Sequence, residues 1–315
     1  MELRLDGITK TFGEKRVLEE ITFSAAGGAA MGLLGRNGAG KTTTIRIIMG
    51  VFPPDSGRVL LEAQPIDRTE VRFGYLPEER GLYPKQKIID QMVYIGRLRG
   101  LSRQEAKKNA DYWLERLEMG QYRDALLRTL SKGNQQKIQL GVCLLHNPDI
   151  VILDEPFSGL DPVNAQLLKE IVSEQAAAGK IVLFSSHQMG YVEEFCDSIA
   201  ILDKGRIALE GNLRDIKRSY DRTRILVALD GGDSAGRLEA LRAAGGLDGF
   251  VADISPEIPG KAAENGAAAV VRVAAPADKD RLLAAILAAG QRVETFQVME
   301  PTLEQIFVER VGEEA

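Results

Sequence analysis

In this 315-residue chain the segment Gly35-Arg36-Asn37-Gly38-Ala39-Gly40-Lys41-Thr42 fits the pattern G-x-x-x-x-G-K-[ST]. It follows an apolar, strand-like run, Met31–Leu34, and precedes a helix-like run, Thr42–Met49. In that context the glycines let the backbone curl so that N–H groups converge on phosphate oxygens. The start of the helix adds partial positive charge. Lys41 is placed to reach β- and γ-phosphates, and the Thr42 hydroxyl to ligate Mg²⁺. Asn37, Ala39 and Thr43 complete the phosphate-binding stretch. The alternative is a plain glycine-rich turn, which the order strand, loop, helix argues against.

A second chemical segment is Val151-Ile152-Leu153-Asp154-Glu155, an apolar strand ending in two acids. Asp154, at the carboxyl end of a buried strand, can hold Mg²⁺. Glu155 is placed to polarise a water for attack on a γ-phosphate, and a positioned base is worth about 10²–10⁴ in rate. By itself such an acid pair is more often a solvated turn; the upstream phosphate loop gives it weight. Three further segments stand out: Leu130-Ser131-Lys132-Gly133-Asn134-Gln135-Gln136, Ser158-Gly159-Leu160-Asp161-Pro162 and Ser185-Ser186-His187.

The elements that must position these residues alternate along the first 220 residues. Strands are expected at Glu2–Lys10, Val17–Ser24, Ala29–Leu34, Arg58–Leu61 and Val71–Leu76. Three- and four-residue apolar spacing predicts helices over Ile88–Leu98 and Arg103–Leu117, and Ser131–His146 reads as another. Ile150–Leu153 and Ile181–Phe184 are short and all apolar, as strands buried on both faces of a parallel sheet are. Pro162–Ala178 reads as a helix with proline in its first turn. Ile199–Asp203 and Arg206–Glu210, joined by Lys204-Gly205, read as a hairpin. From residue 221 on the composition shifts to 19 alanines and three aromatics. Strands at Ile225–Leu229, Ala269–Val273 and Val293–Val298, helices at Ala235–Ala244 and Asp278–Ala289, and a loop over Pro256–Ala268 predict a small α+β domain.

Taken in order, the phosphate loop, the Ser131 segment, the Asp154-Glu155 strand, the Asp161 segment and His187 resemble the Walker A, signature, Walker B, D-loop and switch histidine of the ABC ATPases. The resemblance covers about residues 1–220. It implies an α/β P-loop NTPase fold of ABC type, with a β-rich N-terminal subdomain and a helical subdomain, followed by the small α+β domain over 221–315. It implies head-to-tail dimers that hold two ATP molecules, each between the Walker A loop of one subunit and the signature of the other. Lys41, Glu155 and His187 then carry the chemistry, with His187 near the γ-phosphate and the attacking water. Asp161 couples the two sites. Ser131 and Gly133 meet the phosphate across the dimer, although Ser131 is equally well explained as a helix N-cap. Phe12, in Thr11-Phe12-Gly13, matches the aromatic that stacks on adenine, and a core role is the alternative.

Two positions depart from the family pattern. In Tyr75-Leu76-Pro77-Glu78, a glutamate occupies the place of the usual Q-loop glutamine. A carboxylate there is expected to join Thr42 and Asp154 in coordinating Mg²⁺, or to sit partly protonated among the acids. In the signature, Lys132 and Asn134 replace glycine and glutamine, while Ser131 and Gly133 are retained. Lys132 is expected to face water.

Composition narrows the partners. The formal net charge is −5, from 40 basic and 45 acidic side chains. Residues 1–220 carry 30 basic and 29 acidic groups, and residues 221–315 carry 10 and 16. The acidity of the last part argues against a nucleic-acid partner. No apolar run approaches the ~18–20 residues of a membrane helix, and MELRLDGITK lacks the marks of a signal peptide. A cytoplasmic subunit, peripheral on the inner face of the cell membrane through a permease and without direct insertion, is expected. Two separate cysteines, Cys143 and Cys196, make no disulfide framework.

The run Tyr75–Pro84 and the carboxyl-terminal Glu300–Phe307 resemble the ABC-2 export subfamily, whose subunits serve ion, antibiotic, lipid or polymer export. The surface over about residues 79–120 then receives a permease helix, with Tyr83, Tyr94 and Trp113 as candidates and at least one of them in the core. The alternative is a soluble ABC ATPase acting as a mechanical switch on ribosomes or DNA. Those usually carry two cassettes, a long coiled-coil insert or a basic arm, none of which is visible here.

Overall fold

The computed structural model describes all residues except 80, 159, 221, 257–267 and 313–315. Gly159 and most of the loop expected over Pro256–Ala268 therefore lie outside the described residues. The chain forms two compact units, one of Met1–Leu213 with the residues from Phe307 on, the other of Arg214–Ile306.

The elements, in chain order, are β1 (Glu2–Phe12), β2 (Lys15–Ala26), β3 (Ala30–Leu34), α1 (Lys41–Ile48), β4 (Ser56–Leu61), β5 (Gln64–Pro65), β6 (Phe73–Leu76), α2 (Ile88–Leu98), α3 (Arg103–Arg116), α4 (Lys132–Leu144), β7 (Ile150–Asp154), α5 (Pro162–Ala177), β8 (Ile181–Ser186), α6 (Met189–Phe195), β9 (Ser198–Asp203), β10 (Arg206–Asn212), α7 (Leu213–Ser219), β11 (Arg224–Leu229), α8 (Ser234–Ala243), β12 (Val251–Ser255), β13 (Ala268–Val273), α9 (Lys279–Ala288), β14 (Val293–Val298) and α10 (Leu303–Gly312).

Two sheets build the first unit. The antiparallel one runs β2-β1-β4-β5; alternation sends Leu3 and Leu5 of β1 and Ile21 and Phe23 of β2 into the core, and register shifts along the pair bring Ile8 and Leu18 in as well. The other runs β10-β9-β3-β8-β7-β6. In it β3, β7 and β8 are buried at every residue, and they pair in parallel, as near-continuous apolar strands do when both faces are covered. Only β10 is antiparallel. It returns from β9 through Lys204 (φ 45°) and Gly205 (φ 83°), and two positive φ angles match a two-residue hairpin turn. Helices α2, α3 and α4 supply the helical part; α3 starts with a capping box in which Ser102 and Glu105 satisfy each other's backbone N–H groups.

The register of the parallel strands sets the site. Leu34 pairs with Ser186, Asp154 with Ser185, and Leu76 with Leu153. The carboxyl ends of β3, β8, β7 and β6 therefore finish level and side by side, and the loops that follow open onto one edge of the sheet. Ligands of open α/β sheets bind at that edge.

The second unit has the order β11-α8-β12-β13-α9-β14 and an all-antiparallel sheet β12-β13-β11-β14. This is a ferredoxin-like β-α-β-β-α-β arrangement. Its core joins Ile225, Val227 and Leu229 of β11 and Val271 of β13 to Leu238 of α8 and Leu282 and Ile286 of α9.

Candidate active site

The loop between β3 and α1 wraps the start of the helix. Gly38 (φ 82°) and Gly40 (φ 115°) hold backbone angles that side chains disfavour. A Cβ on Gly40 would also come 2.6 Å from the Leu18 Cδ2 atom. No side chain caps α1, so the N–H groups of its first turn face outward as an anion site. Lys41 is buried, and its Nζ donates to the Gly35 carbonyl at 2.7 Å. Burial lowers its pKa, against the pull of Glu155, Asp154 and Glu78.

Across from the loop, Asp154 ends β7 and is 3% exposed. Its Oδ1 accepts a bond from the Ser185 hydroxyl, and its Oδ2 one from the Tyr75 hydroxyl at 3.4 Å. Tyr75 is half-buried, and that desolvation, with Asp154 alongside, pushes its pKa up to about 12. Both carboxylate oxygens of Asp154 are thus oriented by hydroxyls on neighbouring strands.

Glu155 has a left-handed backbone (φ 48°), a costly conformation for a glutamate that points its side chain back toward the phosphate loop. Its Oε1 lies 2.8 Å from His187 Nδ1 and 3.8 Å from Lys41 Nζ, and its Oε2 accepts from Ser186 at 3.3 Å. The following residue pair is anchored by Phe157, which packs against Phe184 of β8 and stacks on Tyr191 of α6 at 4.7 Å. That cluster ties the loop after Glu155 to the helix after His187.

A cleft of about 450 Å³ brings together Asn37, Gly38, Gly40, Lys41, Thr42, Thr43, Glu78, Asp154 and Glu155, with Lys15 and Val17 on its β2 side. Gly35 and Ala39 belong to the same loop without lining the cleft. Glu78 is exposed, and its carboxylate is near enough to Lys41 and Tyr75 to act on both electrostatically. Thr42, Asp154 and Glu78 are hard oxygen donors, as Mg²⁺ prefers. No group of three or more His, Cys, Asp or Glu side chains among the described residues forms a metal cage.

The other predicted residues lie away from this cleft. Ser131 is exposed and caps α4, accepting from the Asn134 N–H at 3.3 Å. Gly133 sits in the first turn of the same helix. Asp161 caps α5 and bonds both the backbone and the side chain of Asn164, and the Asn164 N–H holds its carboxyl below the usual range. Phe12 is 47% exposed at the end of β1, so the core alternative for it is set aside. Trp113, a candidate for a docking surface, is 7% exposed, faces Gly141 of α4, and is core. Tyr83 and Tyr94 are each 53% exposed. Roles for Ser185 and Ser186 are not apparent in the sequence; the signal lies in their register opposite the acid pair, which needs the sheet order.

Comparison with known proteins agrees with this geometry. The family model for ABC transporters matches residues 18–158, and the model for the C-terminal domain of DrrA1-3-like ATP-binding proteins matches residues 211–311. The uncharacterized ABC transporter ATP-binding protein YhaQ of Bacillus subtilis (strain 168) is 40% identical over 311 residues, covering 98% of each chain. The linearmycin resistance ATP-binding protein LnrL of the same organism is 31% identical over 315 residues, also covering 98% of each. A solved ATP-binding subunit of an ABC transporter superposes with a TM-score of 0.63 at 32% identity, covering 70% of this chain and 93% of that one. The chain belongs to the ATP-binding proteins of ABC transporters, and within them to those with a DrrA1-3-like C-terminal domain.

Proposed function

We propose that this protein is the ATP-hydrolysing subunit of a membrane exporter, with an ATP-binding domain over 1–220 and an accessory domain over 221–315. The observation that carries this is the convergence of Lys41, Asp154, Glu155 and His187 at the level carboxyl ends of adjacent parallel strands. The loop N–H groups and Lys41 bind the phosphates. Glu155, oriented by His187 and Ser186, accepts a proton from the attacking water. His187 is exposed enough, at 48%, to reach the γ-phosphate as well. When bound, Mg²⁺ neutralises phosphate charge; Thr42, Asp154 and Glu78 are the groups that would hold it. Ser131, Gly133 and Asp161 lie outside the cleft, which suits groups that serve the second subunit of a head-to-tail homodimer. Export rather than uptake is favoured by the C-terminal domain type and by the full-length likeness to a linearmycin resistance protein.

Among the described residues no helix is long and apolar enough to cross a membrane, so coupling to transport requires integral membrane permease subunits. Tyr83 and Tyr94, exposed around a hollow that also includes Gln86 and Asp90, are the candidate contact. The permease that co-purifies with this chain is expected to stimulate its ATPase activity. Tyr83→Ala is expected to keep the basal rate and lose that stimulation; full stimulation in the variant would remove Tyr83 from the contact.

A further inference from the structure

Phe12 stands half out of the protein, one residue before the turn from β1 to β2. It pairs with Lys15, and Lys15 and Val17 line the phosphate cleft, so Phe12 sits one strand partner away from that cleft. An exposed ring at a strand end is free to turn, and ordering it on binding costs affinity. Here it is restrained. Residues two apart on a strand share a face, and Lys10 accordingly lies beside Phe12, with Nζ over the ring at 5.6 Å from the centroid. The same ammonium is 5.5 Å from the centroid of Phe52, whose ring meets Phe12 edge-on at 5.4 Å and 89°.

Lys10 is itself fixed. Only 12% of its side chain is exposed, and Nζ donates to the Pro53 carbonyl and to Asp55 Oδ1, each at 2.8 Å. Asp55 Oδ2 accepts the Thr11 N–H at 2.7 Å, and the Asp55 N–H donates to the Thr9 carbonyl at 2.9 Å. The loop that carries Phe52 and Asp55 is therefore bonded to the strand on both sides of Lys10. Lys10 and Phe52 thus hold the Phe12 ring in place while 47% of the residue stays exposed.

We propose that Lys10, held by Asp55 and Pro53, is a positioning residue for the nucleotide: it fixes Phe12 as a platform for the base. This rests on Phe12 being the base platform, and the test separates the two. ATP and inorganic tripolyphosphate, which has no base, are titrated by calorimetry into the full chain and its variants. Phe12→Ala is expected to weaken ATP about fivefold or more, the range of base–aromatic stacking, without changing tripolyphosphate. Lys10→Met is expected to weaken ATP about two- to fivefold, the range of an exposed cation–π contact, again without changing tripolyphosphate. It should raise KM for ATP with kcat unaltered. Lys10→Arg should restore most of the affinity, and Asp55→Asn, which removes the charge that helps hold the ammonium, should act in the same direction as Lys10→Met. Adding Lys10→Met to Phe12→Ala should cost nothing more. Wild-type ATP affinity in both Lys10→Met and Asp55→Asn, beside a weakened Phe12→Ala, overturns the role of Lys10. Wild-type affinity in Phe12→Ala overturns the platform itself, and equal weakening of tripolyphosphate by Lys10→Met reduces Lys10 to a structural part of the loop.

Discussion

Glu155 shows how much of the site is a matter of single side chains. Its strained backbone, its short contact with His187 and its approach to Lys41 place one buried carboxylate between an imidazole and a buried ammonium. The acid pair, Lys41 and His187 are legible in the sequence because their motifs have fixed spacing on strand ends. The serines that orient the acids are not, since a hydroxyl gains its role only from the register that sets Ser185 against Asp154. Glu78 stands where the ABC pattern leads one to expect a glutamine, and it lines the cleft with Thr42 and Asp154. Glu78→Gln is expected to raise the Mg²⁺ concentration for half-maximal ATPase activity by about tenfold. A metal titration and pH–rate profile identical to wild type would take Glu78 out of the metal set.

At the scale of elements, the apolar strands were the readable part. β3, β7 and β8 carry uninterrupted apolar runs because both faces are covered, and α2 and α3 carry helical periodicity because one face is. β12 gave no such signal. Its register shifts between Val251 and Asp253, so the alternation that marks a strand breaks at its centre. Without β12 the ferredoxin-like order of the second unit could not be assembled. α6, at seven residues, is too short to show a period.

The turn from α4 into β7 carries a further element-scale consequence. His146 is 5% exposed there, with Nε2 3.0 Å from the Phe73 carbonyl of β6. Burial lowers its pKa, and Arg99, Arg72 and Lys180 add to the effect. The native state therefore takes up this proton less readily than the unfolded chain. Its contribution to stability is present above the ordinary imidazole value of about 6.5 and is lost as pH falls below it. Urea unfolding is expected to show wild type losing more stability between pH 7.5 and 5.5 than His146→Gln, whose amide keeps a donor for Phe73. Equal losses in the two proteins would show that His146 does not contribute.

For the whole molecule, the charge count separates two kinds of surface. The first 220 residues are nearly neutral, while the last 95 carry a net −6. The second unit has its own sheet and its own core, so it is an addition to the first unit and not an extension of its sheet. Ser131, Gly133 and Asp161 stand outside the cleft they are expected to serve, which makes a second subunit part of the account. The most direct test is Glu155→Gln, followed by ATP turnover and by size-exclusion chromatography with ATP and Mg²⁺. The variant is predicted to bind ATP, to lose at least about 10²-fold in turnover, and to elute as a dimer only when nucleotide is present. Wild-type turnover, or a monomer at saturating ATP, would contradict it.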